Sequence, residues 1–189
     1  MSKILCYIYN GMADFEISLL LHRLRNTGKR EIITISENTD KIMAQSGMYY
    51  VPQQKIEQIQ DISEYEALII PGGPVDNEQN AICPLVKAME ESGKLVAAIC
   101  FAPQFLGRAG VLDKHTYTTS CSAEKIKQLG VKDPYNRDNF VASRTVIDGN
   151  VITAQGYAFV DFAACVCRYL NIFENEQQEY EQLGRIKCS

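Results

Sequence analysis

Along the chain, short continuous apolar runs alternate with stretches whose apolar residues recur at helical spacing. The run at 3–9 leads into a stretch in which Phe15, Leu19 and Leu20 lie on one helical face, so the pattern predicts a strand followed by a helix. The same alternation predicts further strands within 30–36, 66–73, 94–100 and 116–119 and on either side of 148–150, and helices at 82–92, 101–109, 122–130 and 157–173.

Several predicted strands are rich in Val, Ile and Leu without alternation, which is typical of strands covered by helices on both faces. The sequence therefore predicts an α/β fold, an open three-layer sandwich with a mostly parallel central sheet. Residues 42–52 are predicted to form a small projecting hairpin with Ser46 and Gly47 at its turn. Since the chain shows no repeat, low-complexity stretch or linker, we expect one domain over residues 1–189.

Composition and charge narrow the possible partners. The 189 residues are 46% hydrophobic, enough for one sizeable core, and carry a dispersed net charge of -4. Because no basic stripe is present, we do not expect nucleic acid as a partner. With neither an export signal nor an apolar run of about 18 residues, we expect no membrane association and a cytoplasmic location. The acidic stretch at 174–181 is interpreted as a solvated terminal helix.

The cysteines and histidines give no metal-binding pattern. Seven cysteines at irregular spacing, in a chain long enough to form its own core, are interpreted as free thiols. The two histidines, His22 and His115, stand far apart and no Cys-x-x-Cys occurs. We therefore expect neither a metal nor another cofactor.

The carboxyl ends of the predicted strands are where chemistry is expected, since the ligand crevice of an open parallel sheet lies beyond them. The residues that follow these ends are Glu16, Gly72, Gly73, Cys100, Thr118, Thr119, Ser120, Cys121, Gln155 and Gly156. A thiol, a carboxyl group and a pair of glycines are thereby predicted to converge at one edge of the sheet.

Cys100 has the sequence context of a nucleophile elbow, a sharp strand-to-helix turn that needs small residues two positions to either side. Ala98 and Ala102 meet that need. The N-terminus of the following helix is expected to lower the pKa of the thiol. One N–H group of the Gly72-Gly73 loop and that of Phe101 are expected to form an oxyanion hole. The alternatives are a structural buried cysteine and an ordinary Pro-Gly-Gly turn.

Glu16, near the start of the first predicted helix, has two interpretations. An acid in the first turn of a helix can simply complement the helix dipole. If its side chain instead reaches the sulfur of Cys100, burial should raise its pKa and keep it protonated, so that it donates a hydrogen bond to the thiolate.

Three segments, 67–73, 93–119 and 151–163, together with Glu16, resemble the ThiJ/PfpI superfamily. Its members include deglycase-like proteins, PfpI-type intracellular proteases and isocyanide hydratases. The resemblance implies a flavodoxin-like fold of the class I glutamine amidotransferase type and, commonly, a homodimer. The site residues it implies are the reactive Cys100, the pocket acid Glu16, an oxyanion hole from Gly73 and Phe101, and pocket positions at Gly72, Thr119, Ser120 and Gly156.

The chain departs from the superfamily where a catalytic histidine is usual. Phe101 follows the cysteine, and Ser120 and Cys121 follow the Thr-Thr pair, so a Cys-His dyad and protease activity are not expected. An ionised thiolate assisted by Glu16 suits a small, strong electrophile such as a dicarbonyl, a glycation adduct or an isocyanide. Phe101 and Tyr157 are expected to make the pocket apolar and narrow, which favours a small-molecule substrate.

A non-enzymatic function is the alternative. Cys100 is then a peroxide sensor whose sulfinate is stabilised by Glu16 and coupled to a partner or to chaperone-like activity. Cys121 is interpreted as a core or loop cysteine, with a role as resolving thiol as the less favoured reading.

Overall fold

The computed structural model describes residues 2–76 and 80–187, which form a seven-stranded sheet, a separate two-stranded hairpin and flanking helices. The strands are β1 (Lys3–Tyr7), β2 (Glu31–Ser36), β3 (Ile42–Met43), β4 (Tyr49–Tyr50), β5 (Gln54–Lys55), β6 (Tyr65–Ile70), β7 (Leu95–Ile99), β8 (Thr145–Asp148) and β9 (Val151–Ala154). The helices are α1 (Phe15–Asn26), α2 (Cys83–Glu91), α3 (Pro103–Arg108), α4 (Ala123–Leu129), α5 (Phe159–Tyr169), α6 (Glu176–Glu179) and α7 (Arg185–Lys187), with a π-helical turn at Tyr180–Gly184.

The central sheet has the strand order β5-β2-β1-β6-β7-β9-β8. Every neighbouring pair is parallel except β8 and β9, which form the hairpin predicted around 148–150. The predicted α/β class with a mostly parallel sheet is confirmed.

The centre of the sheet is buried on both faces. Every residue of β7 is buried, and since successive side chains of a strand point to opposite faces, helices must cover both sides. The helix α1 packs against α5, and α2 packs against α3, and members of each pair also contact the sheet. The core is therefore built from the apolar strands that the sequence indicated.

Three predicted elements differ in the structure, and one of them, the helix predicted at 157–173, spans only Phe159–Tyr169. Residues 116–119 form only an isolated bridge between Tyr117 and Phe140, because the N–H group of Thr118 donates to the hydroxyl of Thr153 instead of to a strand carbonyl. The helix predicted at 101–109 begins at Pro103, after the turn that contains Cys100. The projecting hairpin is confirmed as β3 and β4, with Ser46 and Gly47 between them.

The topology brings four loops together. The chain leaves β1 for β2 on one side and later returns to β6 on the other, and β6, β7 and β9 then lie in successive parallel positions. The loops after β1, β6, β7 and β9 therefore meet at the carboxyl edge of the sheet, where ligand crevices form. Among the described residues, no helix is long and apolar enough to cross a membrane.

Candidate functional site

Cys100 lies in a strained backbone conformation directly after β7. Its φ of 62° falls in the left-handed region, which residues other than glycine rarely adopt. Its N–H group donates to the carbonyl of Ala154 at 2.8 Å, and its carbonyl accepts from Ser120 N at 3.0 Å and Thr119 Oγ1 at 2.6 Å. These three bonds hold the turn against its strain, which confirms the predicted elbow.

Glu16 reaches the elbow from α1. The helix buries Glu16, Ile17, Leu20 and Leu24, so Glu16 continues the buried face one turn before Leu20. Its side chain is a hydrogen-bond partner of the Cys100 thiol, and its Oε2 accepts from the N–H group of Gly72 at 2.7 Å. With Glu16 only 2% exposed, the interpretation as a helix-dipole acid gives way to that of a buried partner of the sulfur.

Two glycines let the acid and the thiol approach each other. A methyl group at Gly72 would lie 2.6 Å from both Cys100 Cβ and Glu16 Oε2, and one at Gly156 would lie 2.9 Å from Cys100 Sγ and 2.8 Å from Glu16 Oε1. Such contacts are too short for real side chains, so any larger residue would push the pair apart. Gly72 and Gly156 thus lie against both the thiol and the carboxyl group.

The two groups shape each other's ionisation. Burial raises the pKa of Glu16 above its ordinary value, although hydrogen bonds from Gly72 and Cys100 oppose that rise. Burial, and after it the negative charge of Glu16, raises the pKa of the Cys100 thiol to about 12. Burial therefore disfavours a negative charge on either group, and a charge on Glu16 further disfavours one on the sulfur.

The expectation that the helix N-terminus makes this thiol acidic is wrong. The helix α3 has only six residues and begins three positions after Cys100, so its dipole acts weakly on the sulfur. Burial and the neighbouring carboxylate outweigh it. The sulfur still has groups that favour its anion, namely the hydroxyl of Ser120 and the N–H group of Phe101.

The other predicted positions surround this pair in different ways. Ser120 Oγ accepts from Gly156 N at 2.8 Å, which ties the loop after β9 to the elbow. Thr119 is 4% exposed and its hydroxyl supports the Cys100 carbonyl, so it lies behind the turn. Gly73 packs against Tyr9, whose hydroxyl donates to Pro71 O at 2.9 Å and fixes the Pro-Gly-Gly loop.

Tyr9 and Gln155 are parts of the site that the sequence did not assign. Tyr9 ends the first apolar run, and Gln155 is one of the residues that follow a predicted strand end, but the sequence gives neither of them a role. Their roles come from contacts between distant segments, which no local pattern shows. Tyr157 is 65% exposed under the guanidinium of Arg144, so it lies at the surface rather than narrowing a buried pocket.

The remaining candidates lie apart from the elbow. His22 is exposed on α1, and His115 pairs with Glu90 and Asp148. Cys121 is fully buried with its sulfur near the carbonyl of Ser122 at 4.0 Å, which agrees with a core cysteine. Within the described part of the chain, no group of three or more His, Cys, Asp or Glu side chains is placed to hold a metal ion.

The fold and site define an α/β protein with a cysteine at a nucleophile elbow beside a buried carboxyl group. The model of the DJ-1/PfpI family matches residues 2–168. The chain belongs to the DJ-1/PfpI family.

Individual relatives agree with this assignment. The protein named "Deglycase TK1284" from Thermococcus kodakarensis is 28% identical over 81% of this chain and 89% of its own length. The DJ-1 superfamily protein Atu0886 from Agrobacterium tumefaciens has a TM-score of 0.81 and 27% identity over 96% of both chains. Drosophila melanogaster DJ-1beta, at 22% identity and a TM-score of 0.77 over the whole of both chains, shares the fold.

Replacing Glu16 by Gln should lower the pKa of Cys100 from about 12, because it removes the negative charge while burial still keeps the thiol above its ordinary range. The measurement is the rate of iodoacetamide alkylation of the Cys100 peptide between pH 5 and pH 10. The variant should show a thiol inflection inside or close to this range, whereas the wild type shows none. Glu57→Gln, at an exposed position, is the matched control, and an identical profile for all three proteins would contradict the coupling.

Proposed function

We propose that this protein is a cysteine-dependent enzyme that acts on a small reactive electrophile, a dicarbonyl or its glycation adduct, or an isocyanide. The observation that carries the proposal is the sulfur of Cys100, held by a strained turn against the buried carboxyl of Glu16. A relative that carries the name deglycase supports the dicarbonyl class.

Glu16 acts as the general base, the role that a histidine has in enzymes with a Cys-His dyad. Its raised pKa makes it a better proton acceptor than an ordinary carboxylate, and it already bonds the thiol. As the sulfur adds to an aldehyde carbon, the thiol proton moves to Glu16, the carbonyl π electrons move to oxygen, and Glu16 returns the proton to that oxygen. The product is a neutral hemithioacetal, so the site needs no acidic thiol in its resting state.

The oxygen that becomes negative during this addition needs hydrogen-bond donors to stabilise its charge. The N–H group of Phe101 already faces the sulfur as a hydrogen-bond donor, and an oxygen on the carbon bonded to that sulfur lies close to it. The N–H group of Gly72 already donates to Glu16 Oε2. We therefore assign the N–H group of Gly73 as the hydrogen-bond donor that this loop gives to the oxyanion. Gly73 and Phe101 together form the proposed oxyanion hole.

The arrangement disfavours proteolysis. Cleavage of a peptide requires a group that protonates the leaving amine, usually a histidine beside the nucleophile. In the described residues both histidines lie elsewhere, His22 exposed on α1 and His115 between two carboxylates. A small electrophile that requires only addition and proton return suits Cys100 and Glu16 better.

With methylglyoxal or an alkyl isocyanide as substrate, the wild type should turn over many times, and Cys100→Ser should lose essentially all of this activity. Because Glu16 must be ionised to accept the proton, kcat/KM should fall as the pH falls through the raised pKa of Glu16 and stay level above it. Glu16→Gln should lose this acid limb together with about 100-fold or more of the rate. Product formation followed by NMR gives both quantities.

The partly exposed cysteines offer matched controls, since Cys83→Ser and Cys165→Ser should keep wild-type activity. Absence of turnover with every one of these electrophiles would overturn the proposal. If mild peroxide then adds about 32 Da stoichiometrically to Cys100, a sulfinate-based sensor replaces it.

We further propose that the chain acts as a homodimer through its projecting hairpin. Met48, Tyr49 and Val51 are exposed there, and Tyr49 is 67% accessible. Ser46 Oγ and Tyr50 Oη donate to Asp14 Oδ2 at 2.6 and 2.9 Å, which fixes the hairpin beside Phe15, itself exposed at the start of α1. Clustered exposed apolar side chains on a rigid support are typical of a protein interface.

Tyr49→Asp should convert a dimer into a monomer, since it places a charge in this surface. Light scattering after gel filtration should give twice the 21.2 kDa chain mass for the wild type and a single chain mass for the variant. Tyr180→Asp, at an exposed tyrosine near the other end of the chain, should stay dimeric. A wild type that is monomeric at assay concentration, or a dimeric Tyr49→Asp variant, would contradict this interface.

A further inference from the structure

The loop after β6 carries one half of the proposed oxyanion hole. Gly72 and Gly73 have no side chains, so their backbone has wide conformational freedom and needs outside hydrogen bonds to hold one conformation. The hydroxyl of Tyr9 donates to the carbonyl of Pro71 at 2.9 Å, and the N–H group of Ala13 donates to the carbonyl of Gly72 at 2.8 Å. Both donors lie between β1 and α1, so these bonds fix the loop relative to α1.

Gln104 bonds the same loop from the opposite side. It lies on α3, the helix that follows the elbow, and its side chain is fully buried although it is polar. Its Nε2 donates to the carbonyl of Pro74 at 2.9 Å, and its Oε1 accepts from Arg108 Nη1 at 2.9 Å. Since a guanidinium only donates and a carbonyl only accepts, a reversed amide would lose both bonds. The orientation of this amide is therefore fixed.

The backbone of Gln104 holds the other half of the hole. Its N–H group donates to the carbonyl of Phe101 at 3.1 Å, and the hydroxyl of Tyr135 donates to the same carbonyl at 3.0 Å. Phe101 provides the second assigned donor, and Pro74 directly follows Gly73, which provides the first. One residue thus bonds both halves of the hole, with its side chain at the loop and its backbone at the elbow.

We propose that Gln104 is a positioning residue that sets the spacing between the N–H groups of Gly73 and Phe101. Donors that are already in place stabilise a developing negative oxygen without having to reorganise. A displacement of about 1 Å at such a site can cost about 100-fold in rate. Without the bond to Pro74, the glycine loop loses this tie to α3. The role rests on the proposed function, since the oxyanion hole is assigned there.

Two reactions that modify Cys100 once test this role without any turnover. With p-nitrophenyl acetate, the sulfur attacks the ester carbon, the carbonyl π electrons move to oxygen, and their return expels p-nitrophenolate, while any thiol proton passes through Glu16 to solvent. With iodoacetamide, the sulfur displaces iodide from a saturated carbon, so no oxygen becomes negative. The ratio of the two rates, measured on the Cys100 peptide by mass spectrometry, therefore reports on the oxyanion hole and cancels changes in the access or ionisation of the sulfur.

Gln104→Met keeps the length of the side chain but not its bond to Pro74. Acetylation should fall about tenfold to 100-fold, and alkylation should stay at the wild-type rate. Gln104→Glu keeps the shape and the contact with Arg108 but turns an oxygen towards the carbonyl of Pro74, so it should give the same loss. Gln128→Met, at an exposed position of α4, is the matched control and should keep both rates.

An unchanged acetylation rate in the Gln104 variants, or an equal fall in both reactions, would overturn the positioning role. If Gln104→Met does not fold, Gln104→Glu alone carries the decision.

Turnover provides a separate readout. With methylglyoxal, Gln104→Met should lower kcat and leave KM near the wild-type value, because the affected interaction forms only in the transition state. A wild type that turns over none of the electrophiles, with the acetylation-to-alkylation ratio lowered in the Gln104 variants, would remove the proposed function and leave the positioning role standing. Normal turnover with an unchanged ratio would do the reverse.

Discussion

The left-handed backbone of Cys100 is the constraint on which the rest of the site depends. Such a conformation costs roughly 1–3 kcal/mol for a residue with a side chain, and it persists only where the surroundings hold it. Here the carbonyl of Ala154, the N–H group of Ser120 and the hydroxyl of Thr119 provide that hold. The sulfur is thereby directed away from the core and towards Glu16, Gly72 and Gly156.

In the proposed mechanism, burial makes the Cys100–Glu16 pair reactive in a way that neither residue is alone. A carboxylate beside a buried thiol raises the thiol pKa, which lowers the resting thiolate population. The same burial raises the pKa of Glu16, which makes it a stronger proton acceptor at the moment of attack. In this proposal the thiol is protonated at rest and passes its proton to Glu16 when the sulfur attacks. The hydroxyl of Ser120 and the N–H group of Phe101 oppose the rise in the thiol pKa.

The features that could be predicted from the sequence are those that local residue patterns encode. Apolar runs predicted the buried parallel strands, and Ala98 and Ala102 predicted the elbow. It failed where tertiary contacts decide, since Thr118 bonds a side chain of β9 instead of joining the sheet. The sequence predicted a lowered thiol pKa, and that direction was wrong. The burial of Cys100 and the charge of Glu16, which raise this pKa, arise from contacts between separate segments. Gln155 stayed unassigned because only the fold shows that its amide donates to the Thr118-Thr119 segment.

The central claim is that Glu16 and Cys100 form one ionising unit. A ¹³C NMR titration of the side-chain carboxyl carbon of Glu16, in the wild type and in Cys100→Ala, tests it most directly. The account predicts a midpoint above the ordinary value of 4.5 in the wild type, and a further rise in the variant, where the hydrogen bond that lowers this pKa is gone. A midpoint at the ordinary value, or one that does not respond to the loss of the sulfur, would contradict it.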